Sequence, residues 1–175
     1  MKNENSDNLH MKETFAIPAV GAIIVKCIDG EEYILVQNRK KNNGDGCDGQ
    51  LEIPAGKVRE YENVFDALRR EVCEETGLRL TKIEGETEST RLDVVGNETI
   101  LFSPYCVTQN LSGAYSIILS TFLCEAEGEL LERTDETENI HWMKCEELKE
   151  IVEQKPESIF LMHVQALKKY LRIFG

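Results

Sequence analysis

Residues 56–78, GKVREYENVFDALRREVCEETGL, constrain the fold of this chain more than any other segment. From residue 62 to residue 76 there is neither glycine nor proline and many helix formers, which predicts a helix. Gly77 supplies the residue that turns left-handed just past a helix end. Asn63 or Glu62 supplies a polar start, where acidic groups suit the helix dipole. The apolar stripe opens with Val64, Ala67 and Leu68. At about 100° per residue, Glu71 and Glu75 point within roughly 20° of Val64. The period asks for apolar side chains at those positions and the chain supplies carboxylates, with Glu74 one ridge over. A stripe that should be buried turns acidic halfway along.

Three carboxylates on one helical turn repel one another. Hard oxygen ligands of this kind suit Mg²⁺ or Mn²⁺, which keep several waters and reach substrate phosphates. Arg70 lies beside the cluster and can hold the carboxylates in place. In an arbitrary glutamate-rich helix the same residues would form a solvated acidic face paired with Arg69 and Arg70. Here the spacing, the loop at Gly56 and the helix-ending Gly77 agree with one another, and the metal reading is preferred. Leu51-Glu52-Ile53 reads as a short strand running into Pro54-Ala55-Gly56, where glycine permits a tight strand-to-helix connection.

Gly56, Glu62, Arg70, Glu71, Val72, Glu74, Glu75, Gly77 and Leu78 fill every fixed position of the pattern G-x5-E-x7-R-E-U-x-E-E-x-G-U, where U is a bulky aliphatic residue. A chance match is on the order of one in a million at ordinary residue frequencies. On these residues the chain resembles the Nudix hydrolases. The resemblance covers the chain from about residue 16 onward, although only the box is highly specific. It implies an α/β fold, a Nudix-type α/β/α sandwich with a mixed β-sheet. It implies Glu71 and Glu75 as the main ligands of Mg²⁺ or Mn²⁺, with Glu74 sharing a metal when substrate is bound and the Ala55 carbonyl as a further ligand. Arg70 then orients Glu71, and Glu62 supports from behind or caps the helix. The implied reaction is hydrolysis of the pyrophosphate bond in a nucleoside diphosphate linked to a second moiety.

Family members vary in their general base. ADP-ribose-type members often take it from an acidic loop ahead of a late strand. Asp135-Glu136-Thr137-Glu138 occupies that place before Ile140-His141-Trp142. Glu136 is the first candidate and Glu138 the second, against the plain alternative of a solvated acidic loop. His141 and Trp142 read as strand residues rather than as a platform for adenine. Arg39 and Glu52, flanking the loop before the box, are candidate substrate contacts. Glu52-Ile53-Pro54-Ala55-Gly56 looks like the ADP-ribose and ADP-sugar branch, whereas nucleoside-triphosphate cleaners more often carry Gly-Gly there. Against that branch, the proline typical of ADP-ribose members falls at Val94, and Pro104 takes the part only if the intervening turn is longer. The first expectation is an ADP-ribose or ADP-sugar pyrophosphatase. The alternatives are a nucleoside-triphosphate pyrophosphatase or a non-catalytic ADP-ribose sensor, and the intact box disfavours the sensor.

Composition bounds the rest. The 175 residues are enough for one domain with a full core, expected over 15–175, after a polar tail at 1–14 that lacks the apolar run of a signal peptide. No run approaches the ~20 apolar residues needed to span a bilayer. These features predict a cytoplasmic protein. The net charge of −12 disfavours nucleic acid, which needs cationic side chains to displace its counterions. A small phosphorylated substrate remains compatible, because cations bridge carboxylates and phosphates. Composition leaves the oligomeric state open; ADP-ribose-type relatives are often homodimers, and a homodimer is the weak expectation. The six cysteines form no C-x-x-C pair, which argues against zinc. They are expected as free thiols, mostly in the core, with Cys47 the most exposed.

Along the chain, 19–27 and 33–37 predict a hairpin around Asp29-Gly30. The loop 41–50 is placed to meet substrate or is a plain hairpin connection. Further strands are predicted at 80–93, 99–108, 115–123 and 139–144, and helices at 146–153 and 156–174. On the last helix Ile159, His163, Ala166, Leu167 and Tyr170 form the apolar stripe, with His163 read as a core or boundary residue.

Overall fold

The structure, a computed structural model, describes residues 13–40, 46–113 and 115–173. The hairpin forms as expected: β1 (Ile17–Ile28) and β2 (Glu31–Arg39) join through Asp29 and Gly30, at φ 52° and 83°. Two positive φ values in a two-residue loop match the right-handed twist of the flanking strands. β3 (Leu51–Glu52) pairs with β2, and β4 (Ala55–Lys57) pairs with β1. The box helix α1 runs Val64–Thr76. Of the two candidate caps, Asn63 is the one used: its side chain accepts from the Phe65 N–H at 2.9 Å. Gly77, at φ 79°, ends the helix and donates to the Cys73 carbonyl.

The strand at 80–93 is divided, a correction to the expectation. β5 (Arg79–Ile83) stops at a turn containing Gly85 at φ 84°, and β6 (Thr90–Val94) follows. Arg69 of α1 clamps that turn by donating to both Glu86 carboxylate oxygens at 2.7 and 2.6 Å. The strand at 99–108 is divided likewise into β7 (Asn97–Leu101) and β8 (Cys106–Gln109). β6 and β7 form a separate hairpin through Val95 and Gly96, at the turn the sequence marked. β9 (Ile117–Glu127) is longer than predicted, and β10 (Thr137–Lys144) starts earlier. α2 (Cys145–Gln154) follows, and the closing segment divides into a 3₁₀ turn at Pro156–Ser158 and α3 (Leu161–Tyr170). Phe174 and the polar tail up to residue 12 lie outside the described residues.

The main sheet has the order β10-β2-β1-β9-β5, with β3, β4 and β8 attached along it. β1 pairs parallel to β9, while its pairing to β2 is antiparallel, so the sheet is mixed. Alternation along the strands feeds two cores. Val20, Ala22, Ile24, Leu35 and Phe122 meet α1 through Phe65, Leu68 and Val72. Ile23, Ile34 and Val36 meet α2 and α3 through Leu148, Val152, Val164 and Leu167. Helices therefore cover both faces, giving the expected α/β/α sandwich. Burial of such side chains is the dominant stabilising term, worth roughly 1.5–3 kcal/mol each.

The cysteines depart from expectation. They are free, but Cys124 alone is buried; Cys27 and Cys73 are exposed, and Cys47 is intermediate. Cys73 lies on the face of α1 turned away from the sheet, and Cys27 lies where β1 runs out past the core. No helix among the described residues is long and apolar enough to cross a membrane.

Candidate active site

Pairing of β3 to β2 and of β4 to β1 lays the 51–57 segment along two interior strands of the sheet, with β4 in contact with α1. Pro54 is fixed by its carbonyl, which accepts from Ala22 N–H at 2.9 Å. Gly56 is not in the left-handed region. Its requirement is space: a Cβ there would overlap the Glu71 carboxyl group, far inside the 3.0 Å that real Cβ atoms respect. The glycine lets a helix carboxylate rest directly on the strand backbone.

Glu75 is 5% exposed, and its Oε2 accepts from Ala55 N–H at 3.0 Å and from Gln37 Nε2 at 2.8 Å. Glu71 accepts at Oε1 from Arg70 Nη1 at 2.6 Å. The same guanidinium donates to Glu62 through Nε and Nη2 at 2.7 and 2.8 Å, and to the Lys57 carbonyl at 3.1 Å. Arg70 thus ties the box helix to both ends of the loop. Glu74 stands outward, half-exposed, 3.4 Å from Arg70 and 3.8 Å from Arg59. So the structure brings Glu71, Glu75, Ala55, Gly56, Arg70 and Glu62 together and leaves Glu74 at the rim.

The hydrogen bonds from Arg70 hold the Glu62 carboxyl at about 2, from an ordinary 4.5. A depressed carboxyl adds stability above its unfolded value and loses it as pH falls. Acid titration of the unfolding midpoint should therefore show a loss between pH 4.5 and about 2. In Glu62→Gln that part of the pH dependence should vanish; an unchanged profile would place the loss elsewhere.

Among the described residues no three acidic, histidine or cysteine side chains form a ready-made metal cluster. Arg70, Gln37 and the Ala55 amide hold the carboxylates singly. The donor chemistry nonetheless fits a hard cation. Two carboxylates from successive turns meet adjacent backbone groups, and beside them Gln37 Oε1 is buried without a hydrogen-bond partner. A buried acceptor left in that state costs about 1–3 kcal/mol unless something satisfies it.

The acidic segment 135–138 lies against the same end of α1. Thr137, fully buried, donates from Oγ1 to the Glu75 carbonyl at 3.2 Å. Lys40 N–H donates to the Glu136 carbonyl at 2.8 Å, and Lys40 Nζ is 3.5 Å from Glu138. The side chains of Glu136 and Glu138 are exposed.

Beside the box loop opens a cavity of about 140 Å³ lined by Arg39, Glu52, Gly56, Tyr115, Phe160 and His163, among others. Glu52 and Arg39 are buried, 3.4 Å apart, and the guanidinium lies 4.4 Å from the Phe160 ring centroid. His163 is 2% exposed, and its Nδ1 accepts from Ile53 N–H at 3.2 Å, which fixes the strand leading into the box. It is the core residue the helix stripe suggested, and it also lines the cavity. Sequence reasoning missed Gln37, Tyr115, Thr137 and Phe160. Gln37 left a trace: with Leu35 and Arg39 it sits on the inward face of a buried strand, where the period predicts an apolar residue. Trp142 packs on the α1-side core with Lys26 over its ring at 5.4 Å, as a strand residue.

Two helix carboxylates, Glu71 and Glu75, thus face the 55–56 backbone beside a cavity lined by polar and aromatic side chains. The NUDIX domain family model matches residues 17–162, and the chain belongs to that family. A stretch of 59 residues is 41% identical to "8-oxo-dGDP phosphatase NUDT18" of Danio rerio, covering 34% of this chain and 16% of that protein. Among solved structures, a MutT NUDIX hydrolase from Burkholderia pseudomallei superimposes with TM-score 0.55 at 25% identity, over 77% of this chain and 87% of its own. The NUDIX domain of Shewanella oneidensis NrtR, complexed with ADP ribose, gives TM-score 0.62 at 12% identity over 91% and 89%, a likeness of fold.

Proposed function

We propose that the chain hydrolyses, with Mg²⁺ or Mn²⁺, the pyrophosphate bond of a nucleoside diphosphate linked to a second moiety, with ADP-ribose or an ADP-sugar as first substrate. The observation that carries the reading is the meeting of Glu71 and Glu75 with the Ala55–Gly56 backbone beside the Arg39–Glu52 cavity. Glu71, Glu75 and the Ala55 carbonyl would hold the cation, with Glu74 joining from the rim when substrate is bound. When bound, the cation neutralises phosphate charge and lowers the pKa of a water.

The chain's own residues do the remainder. Arg70 keeps Glu71 aimed at the loop. Glu136 accepts the proton of the attacking water, with Glu138 second in line. Oxygen of that water bonds to phosphorus, the anhydride P–O bond breaks, and AMP and a sugar phosphate leave. Arg39 and Glu52 contact the substrate from the cavity, where Phe160 and Tyr115 offer aromatic faces. Holding these groups in place accounts for much of the rate in such chemistry.

A second reading is hydrolysis of a free nucleotide, favoured by the name of the Danio rerio relative over the stretch it shares. Product analysis with Mg²⁺ on ADP-ribose, ADP-glucose, NADH, diadenosine polyphosphates and nucleoside di- and triphosphates separates the two. AMP from ADP-ribose supports the first reading; release of phosphate or pyrophosphate from nucleotides supports the second. Ligand binding without turnover of any member would point to a sensor and overturn both. Glu136→Gln should lower kcat by about 10²-fold with metal affinity unchanged. Unchanged kcat would move the base to Glu138 or beyond.

A further inference from the structure

We propose that Thr137, acting with Thr134, is a positioning residue that sets the acidic segment 135–138 against the Glu75 end of the box helix. The proposal rests on the hydrolase reading above, but the hydrogen-bond geometry stands by itself.

Thr137 Oγ1 donates to the Glu75 carbonyl at 3.2 Å, in the last turn of α1, where carbonyls lack helical partners. Thr134 Oγ1 lies 2.8 Å from Thr137 Oγ1 and accepts from the N–H groups of Glu136 and Thr137 at 3.2 and 3.0 Å. A hydroxyl has one proton and two acceptor sites. The Thr137 proton is committed to Glu75, so Thr134 must donate to Thr137. Thr134 is then saturated, with two bonds accepted and one donated. The chain runs one way: loop amides to Thr134, Thr134 to Thr137, Thr137 to α1. On the other side, Thr134 N–H donates to the Thr137 carbonyl at 2.9 Å, closing a tight turn, and Lys40 N–H donates to Glu136 at 2.8 Å.

This strut ends on the backbone of a residue whose side chain faces the box loop. The two hydroxyls therefore brace the acidic segment against α1, in addition to the pairing of Thr137 and Glu138 with β2. Buried polar chains of this kind rigidify when fully satisfied. A misplacement near 1 Å at a reacting centre can cost about 10²-fold.

The test is Thr137→Val, which keeps the shape and removes the donor, beside Thr137→Ser, which keeps the hydroxyl. Kinetics use Mg²⁺ with ADP-ribose, or with dGTP if only nucleotides are turned over. Thr137→Val should lower kcat by about 10- to 100-fold with KM within about twofold, and Thr137→Ser should recover most of it. Amide exchange of the segment 133–140 in the metal-free protein should speed up in the valine variant and not in the serine variant. If Thr137→Val fails to fold, Thr134→Val breaks the same relay from its more exposed end and carries the same expectations. The inference is overturned if the folded valine variant keeps wild-type kcat, if serine is as impaired as valine, or if exchange is unchanged. Failure of the hydrolase reading would show separately, as no turnover by the wild type, and amide exchange would then decide the strut alone.

Discussion

Glu75→Gln should lower kcat by on the order of 10³-fold while the protein keeps its fold. The carboxylate is buried, and its Oε2 already accepts two N–H groups, from Ala55 and Gln37. A glutamine oxygen can accept both. The stability cost should therefore be small, about 1 kcal/mol. The charge, by contrast, is lost outright, and with it a hard anionic ligand. The decisive pair of measurements is kcat with Mg²⁺ and the shift in thermal midpoint on adding Mn²⁺. Both should collapse in the variant. Near-normal turnover would sink the assignment of Glu75 to the metal.

Gly56→Ala should be nearly as damaging, for a steric reason. The added Cβ would occupy the place of the Glu71 carboxyl group, which the Arg70 guanidinium holds from the other side at 2.6 Å. Either β4 moves off β1 or Glu71 leaves Arg70. Overpacking of this kind costs about 1–3 kcal/mol, and displacement of Glu71 should cost about 10²-fold or more in kcat. Gly30→Ala is the control. It sits at φ 83° with nothing within 4 Å of an added Cβ, so it should pay only backbone strain, about 1 kcal/mol, with no effect on rate. If Gly56→Ala behaved like Gly30→Ala, the close approach of Glu71 to the loop would not be needed for turnover.

Local signals were read well because they are written in neighbouring residues. Asp29-Gly30 closes the first hairpin, Asn63 and Gly77 bracket the box helix, and the 3.6 period placed Glu71 and Glu75 on its inward stripe. Strand boundaries were read less well. Residues 80–93 and 99–108 each carry one breaker, Gly85 and Pro104, inside stretches otherwise rich in strand formers. What divides the first is Gly85 together with the Arg69–Glu86 clamp, a contact between residues far apart in the chain. The cysteines failed for a similar reason, since a small apolar residue carries no mark of which face of its element is covered.

By itself the sequence determined the chemistry of the box: which helix bears the carboxylates, which glycine ends it, and which arginine lies beside them. Those features depend on spacing within one element, and spacing is what a sequence records. Tertiary structure alone decided that Gly56 is needed for room rather than for a left-handed turn, since that depends on Glu71 arriving from another element. It also decided that β1 lies parallel to β9, that Arg39, Glu52, Tyr115, Phe160 and His163 share one cavity, and that Thr137 reaches the Glu75 carbonyl. Each of these joins segments tens of residues apart, and such joins are settled by which faces the two cores bury rather than by any local preference.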